Sequence, residues 1–174
     1  MSIHIPIVFL EEFAEDLPFV MERARAAGVT HIFMPNIDST TIEPMLSVCD
    51  TYRDFCFPMI GLHPTSVNES YEKELEIVAA NLETSGRFVA VGEIGIDLYW
   101  DKTWLKEQLI AFEKQVQWAL HYQLPIVIHC REAFDYIYKV LQPYKNSGLT
   151  GIFHSFTGTP GEAVRMMEFP GFKI

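Results

Sequence analysis

Residues 87–100 read RFVAVGEIGIDLYW, and how that stretch ends decides the architecture. Phe88 to Val91 form an apolar run of the kind that lies inside a protein. Glu93 then stands between glycine and isoleucine, and Asp97 comes four residues later. A carboxylate at the end of a buried run needs a partner, because an unpaired buried charge is costly. Parallel α/β folds give such a residue a place, since their chemistry collects at the carboxyl ends of the strands.

The rest of the chain has the matching rhythm. Apolar runs at 5–10, 30–34, 55–60, 87–92, 125–128 and 150–153 alternate with helical patterns at roughly 15–27, 40–51, 70–84, 102–122, 132–142 and 160–168. A last run begins at Phe172. Within 102–122, Trp104, Leu105, Leu109, Phe112, Val116, Ala119 and Leu120 fall near one helical face. Gly28 and Gly86 follow helical patterns, as helix stops do. Strand–helix alternation predicts an α/β fold with a parallel sheet buried on both faces. Residues 1–174 read as one domain, with six strand–helix units and the start of a seventh. A closed eight-unit barrel needs about 250 residues. The alternatives are a complete open sheet and a TIM-type barrel cut short. The ending PGFKI reads as a strand just beginning, so the incomplete barrel is expected.

Polar side chains follow the apolar runs. Residues 55–60 lead into GLHP and His63, and residues 87–92 into Glu93. LPIVIHCRE ends on His129, with Arg131 two residues on, and LTGIFHSFTG ends on His154. Far apart in sequence, these would converge at a barrel mouth. Imidazole with carboxylate suits zinc, manganese or iron. A carboxylate can also bridge two ions about 3.5–4 Å apart, an arrangement that activates water and clamps a phosphate ester. Any single histidine after a strand is more often a hydrogen-bonded structural residue. The recurrence at one topological place carries the metal reading. His31 opens a strand and His121 sits at a helix end, so both read as structural. Asp97 and Tyr99 read equally as mouth residues or as a cap for the next helix. Trp104 and Trp118 read as packing, and the acidic stretch 70–76 as a solvated helix face.

Composition narrows the classes. With 49% hydrophobic and 21% charged residues, the chain is an ordinary globular sequence. The net charge of −10, without a lysine or arginine cluster, excludes broad electrostatic binding of nucleic acid. An enzyme that holds one phosphate through a metal is still compatible with it. Cys49, Cys56 and Cys130 lack metal-like spacing, and the odd count fits a reducing compartment. No run has the length of a membrane span, and no basic region precedes the first apolar segment. A cytoplasmic location is expected.

GLHP, GEIGID, IHCRE and FHSFTG, in this order and spacing, resemble the TatD family of metal-dependent hydrolases; EEFAEDL and AAGVTHIFMPN fit its first units. The resemblance runs from about Leu10 onward. It implies a TIM-type barrel with a divalent metal site, two ions per site drawn from magnesium, manganese or zinc. It also implies phosphodiester hydrolysis with DNA as substrate, of the 3′→5′ exodeoxyribonuclease type. Residue by residue, Glu93 corresponds to the family's shared metal-binding glutamate, and His129 and His154 to its second-metal histidines. His63 and Arg131 correspond to substrate-binding positions at the mouth.

Two departures from the family pattern bear on activity. The family's first strand reads Asp-Thr-His-x-His, whereas here SIHIPIVFLEEF places Ile5 and Ile7 where the two histidines belong. His4 is one position off and falls on the other face of a strand. Codon degeneracy permits Asp-Thr-His-Thr-His in a shifted frame across Ser2 to Ile7, so either a frameshift or a diverged strand accounts for the isoleucines. The family's final metal-binding aspartate would lie beyond residue 174. Weak metal binding is therefore expected, as is self-association through an open barrel seam. The rival readings are an inactive truncated remnant or pseudoenzyme, and an amidohydrolase acting on a carbon centre.

Overall fold

The computed structural model describes residues 2–6 and 15–174. Among the described residues, seven strands alternate with six α-helices. The strands are β1 (Ser2–His4), β2 (Val29–Pro35), β3 (Cys56–Met59), β4 (Val91–Asp97), β5 (Ile126–Arg131), β6 (Gly151–Phe153) and β7 (Phe172–Lys173). The helices are α1 (Leu17–Ala26), α2 (Ile42–Thr51), α3 (Tyr71–Ser85), α4 (Leu105–Tyr122), α5 (Phe134–Leu141) and α6 (Pro160–Met166).

All strand pairs are parallel, in the orders β1-β2-β3 and β4-β5-β6-β7. The two sheets meet where Ile60 bridges Val91, with Gly92 N donating to Ile60 O at 2.8 Å and Val89 N to Pro58 O at 3.0 Å. The spatial order is thus the chain order. A doubly wound open sheet reverses direction at a switch point, whereas consecutive parallel order belongs to a barrel wall. The fold is α/β, most of the wall of a TIM-type barrel. Among the described residues, β1 pairs only with β2 and β7 only with β6.

Two apolar layers hold the wall. Phe112, Val116 and Ala119 of α4 belong to the main core together with Ile94, Ile96, Ile126 and Ile128. A smaller cluster of Met59, Ala90 and Val127 takes in Phe33 of β2, Ile152 of β6 and Ile5 just after β1, as expected of residues facing a barrel interior. Ile5, where the family pattern has a histidine, packs in this second layer. Ile7 and the LEEF segment used to align it lie outside the described residues.

The apolar run at 87–92 is displaced from its strand. β4 begins at Val91 and runs through Asp97, because Ile94 to Asp97 pair with Ile128 to Arg131 of β5. Glu93 therefore stands inside β4, where the ladder shifts register between Val91 and Ile94. Gly92 and Gly95, which read in the sequence as leaving room around Glu93, let β5 come close instead. A Cβ on Gly92 would lie 2.6 Å from Val127 Cβ. Trp104 and Trp118 pack beside Leu62, Val67 and Leu75, as expected. In the acidic stretch, Glu72 and Glu76 are exposed. Glu74 instead accepts from Ser39 N at 2.7 Å and Ser39 Oγ at 2.9 Å.

Candidate metal centre and cleft

Glu93 from within β4, His129 from the second half of β5 and His154 just after β6 meet at one place. His154 Nδ1 lies 3.1 Å from Glu93 Oε1, and His129 Nδ1 lies 3.5 Å from the same oxygen. Glu93 is 7% exposed. Burial pushes its carboxyl up, but hydrogen bonds from His129 and His154 outweigh that and hold it at about 2. It is an anion at any working pH.

Asp97 holds His129 from behind. Its Oδ2 is 2.8 Å from His129 Nε2, while its Oδ1 accepts from Tyr99 N at 3.0 Å. It thus serves both as a mouth residue and as a turn cap. The carboxylate fixes the imidazole so that Nδ1 faces Glu93, the arrangement that orients metal-binding histidines. The spacing carried a signal: residues 93 and 97 share parity on one strand and so share a face.

His63 joins the group. Suitable donor atoms of His63, Glu93 and His129 all lie within 4.8 Å of one another. The His63 ring packs edge-on against His129, with centroids 4.7 Å apart. Its Nδ1 is 2.7 Å from Thr65 Oγ1, which leaves Nε2 for the cleft. Burial, then the neighbouring His129, pushes its pKa down to about 4, so it is neutral at pH 7. The sequence reading placed His63 with substrate; the geometry also puts it within reach of the carboxylate centre. His31 instead stacks on Phe57, and His121 lies against Tyr122.

Two glutamines that periodicity does not reveal set the loops. Gln108 and Gln115 are 4% and 1% exposed on the inner face of α4. Gln108 Oε1 accepts from Asp97 N at 2.9 Å, and its Nε2 donates to Asp97 O at 3.2 Å. Gln115 Oε1 accepts from Leu62 N at 2.6 Å. In the GLHP loop, Gly61 N donates to Asn36 Oδ1 and His63 N to Ile37 O, both at 2.9 Å. Three successive backbone donors are thereby satisfied, and His63 is held on a fixed loop.

A cleft of about 480 Å³ opens over Glu93, His63, His129, His154 and Arg131. Arg131 is exposed at its rim, its guanidinium 3.8 Å from the centre of the Tyr99 ring. The donor set suits a divalent cation. Two imidazole nitrogens converge on one ionised carboxylate oxygen, and a second carboxylate stands behind one of the rings.

His129 is held above the ordinary imidazole value: burial pulls it down, but bonds to Glu93 and Asp97 outweigh that. A histidine raised in the fold stabilises it fully below its unfolded pKa of about 6.5 and loses that contribution as pH rises through the folded value. In chelator-treated protein, Asp97→Asn should lower the His129 titration midpoint followed by NMR. It should also cost more stability at about pH 5.5 than at about pH 8.5. An unmoved midpoint would mean that Asp97 does not charge the ring.

Residues 3–174 match the family model described as TatD related DNase. The chain is 33% identical over 158 residues to the metal-dependent hydrolase YabD of Bacillus subtilis, covering 91% of this chain and 61% of that protein. It is 31% identical over 151 residues to the 3′-5′ ssDNA/RNA exonuclease TatD of Erwinia tasmaniensis, covering 87% and 58%. The crystal structure of YjjV, a TatD homologue from Escherichia coli, superposes with a TM-score of 0.89 at 28% identity, over 99% of this chain and 66% of that one. A TatD family hydrolase from Entamoeba histolytica has the same fold, with a TM-score of 0.82 at 23% identity over 98% and 62%. The chain spans about three fifths of the length of these curated relatives. No helix among the described residues is long and apolar enough to cross a membrane.

Proposed function

Because this chain belongs to the family of TatD related DNases, we propose that its cleft serves the metal-dependent hydrolysis of phosphodiester bonds in single-stranded nucleic acid. The observation that carries this is the convergence of His129 and His154 on one buried, ionised oxygen of Glu93. The Erwinia relative's name, a 3′-5′ ssDNA/RNA exonuclease, supports the substrate class.

Glu93, His129 and His154 would hold the cation. The imidazole-rich donor set favours manganese or zinc over magnesium, which prefers oxygen ligands and water. The described donors assemble at one centre, so one ion is expected there, bound weakly without the family's first-strand histidines. When bound, a divalent ion supplies Lewis acidity, lowering the pKa of a water and neutralising charge on a phosphoryl oxygen. Glu93 contributes a fixed negative charge that needs no proton lost at neutral pH. Asp97 keeps His129 in one orientation. Neutral His63 offers a hydrogen-bonding nitrogen to substrate, and Arg131 offers fixed positive charge at the rim, where a phosphate would enter.

The test is to strip the purified chain with chelator, reload it with Mn²⁺ or Zn²⁺, and supply a 5′-labelled single-stranded oligonucleotide. Stepwise release of nucleotides from the 3′ end, abolished by chelator, is the expected result. Turnover of an amide or lactone without nucleotide release would favour the carbon-centre reading. Inertness toward both would make the chain a non-catalytic relative.

A further inference from the structure

A second cleft of about 580 Å³ adjoins the first and shares Cys130, Arg131 and Thr157 with it. Its walls include Tyr99, Tyr136 and Phe156. Exposed aromatics stand in this wall: Tyr99 is 50% exposed and Tyr136 38%, while Trp100, 73% exposed and beside Tyr99, lines a neighbouring cleft with Pro64 and Trp104. Leaving so much aromatic surface in water at one place marks a binding surface. Tyr99 and Trp100 stand at right angles, with centroids 4.8 Å apart. Arg131 sits in their corner, 3.8 Å from one ring centre and 5.7 Å from the other. Arg23, Arg53, Arg87 and Arg165 each have a carboxylate partner. The contacts found for Arg131 are with rings, so its hydrogen-bond donors stay available to a ligand.

We propose that this second cleft is a base subsite, in which Tyr99 and the Arg131 plane receive the unpaired base of the nucleotide beside the scissile phosphate. The inference rests on the hydrolase reading of the first cleft and adds what the neighbouring cleft recognises. Unpaired bases stack on aromatic rings and guanidinium planes, and each has a π-face whatever its identity. The rim discriminates between the parts of a nucleotide. Glu132, Asp135 and Glu162 line this cleft, so a phosphate is disfavoured there while a neutral base with exocyclic amines is not. Arg131, on the shared wall, then meets the phosphate on the side of Glu93. The volume falls in the range of small-ligand pockets, about 300–1,000 Å³, and a net charge of −10 does not suit duplex binding.

The experiment compares two single-stranded oligonucleotides, one ending in 2-aminopurine and one in an abasic residue, with the metal-loaded chain. Wild type should cut the base-bearing substrate with a kcat/KM about 5- to 150-fold higher, the range that one base stack supports. It should also change 2-aminopurine fluorescence on binding. Tyr99→Ala should lose most of that preference through KM, while Tyr99→Phe, which keeps the ring, should retain it. Equal cutting of both substrates by wild type, with no fluorescence change, would overturn the base subsite and leave the hydrolase reading standing. A fluorescence change lost in Tyr99→Ala, but with no cutting of either substrate, would sink the hydrolase reading and keep the base subsite. Neither signal would overturn both.

Discussion

Glu93→Gln should weaken divalent-cation binding by more than about 100-fold, beyond the 10–100-fold typical of losing a partner that only orients a ligand. Glu93 Oε1 is the one atom that both His129 and His154 face. The amide keeps the side chain's shape but removes the charge that a cation and two imidazoles share. Calorimetric titration of the stripped protein with Mn²⁺ or Zn²⁺ checks this, with circular dichroism to show that the fold is kept. Nucleotide release should fall with the binding. A variant within twofold of wild type in affinity would mean that the ion, if one binds, sits elsewhere.

Gly95→Ala should be among the most damaging single changes in the chain. Gly95 lies opposite His129 in the β4–β5 ladder, at φ +144°. A Cβ there would stand 2.0 Å from the His129 carbonyl oxygen. Backbone cannot swing aside as the end of a long side chain can, so the two strands must part or their register must break. Either outcome costs more than about 3 kcal/mol, or roughly 6–12 °C in melting midpoint for a chain of this size. It would also displace His129. Thermal unfolding followed by circular dichroism measures it, and a midpoint within 2 °C of wild type would show that the strands are not as close as described.

Most elements were legible because their periods are. The pattern at 70–84 became Tyr71–Ser85, and that at 102–122 became Leu105–Tyr122. Consecutive strand order was not legible, since alternation of strand and helix fits a barrel and an open sheet alike. β4 was misplaced because the apolar run was read as the whole strand. The alternation of Ile94 and Ile96 with Glu93, Gly95 and Asp97 carries the period-2 signal that extends it. That Glu93, His129 and His154 would lie close together could be read from polar residues recurring after apolar runs. That Asp97 holds His129 needed the parity of β4 to be noticed. Gln108 and Gln115 were beyond a periodicity reading, which assigns glutamine to the wet face of a helix. Only the unpaired backbone groups of Asp97 and Leu62 explain why amides are buried there.

Those two amides give α4 a second occupation. Gln108 offers one acceptor and one donor to the N–H and C=O of Asp97, as an adjacent strand would, and Gln115 does the same for Leu62. Where sheet pairing runs out, a helix stands in for the missing neighbour. The separation between the two anchored loops is then set by helical pitch: seven residues at 1.5 Å each, about 10 Å along the axis. Length changes therefore have unequal effects along the chain. An insertion among the exposed residues 101–103 can bulge into solvent and leave the cleft's dimensions alone. One extra residue between Gln108 and Gln115 turns one amide away from its loop by about 100° relative to the other, so α4 behaves as a gauge whose graduation this family member cannot alter without respacing its own cleft.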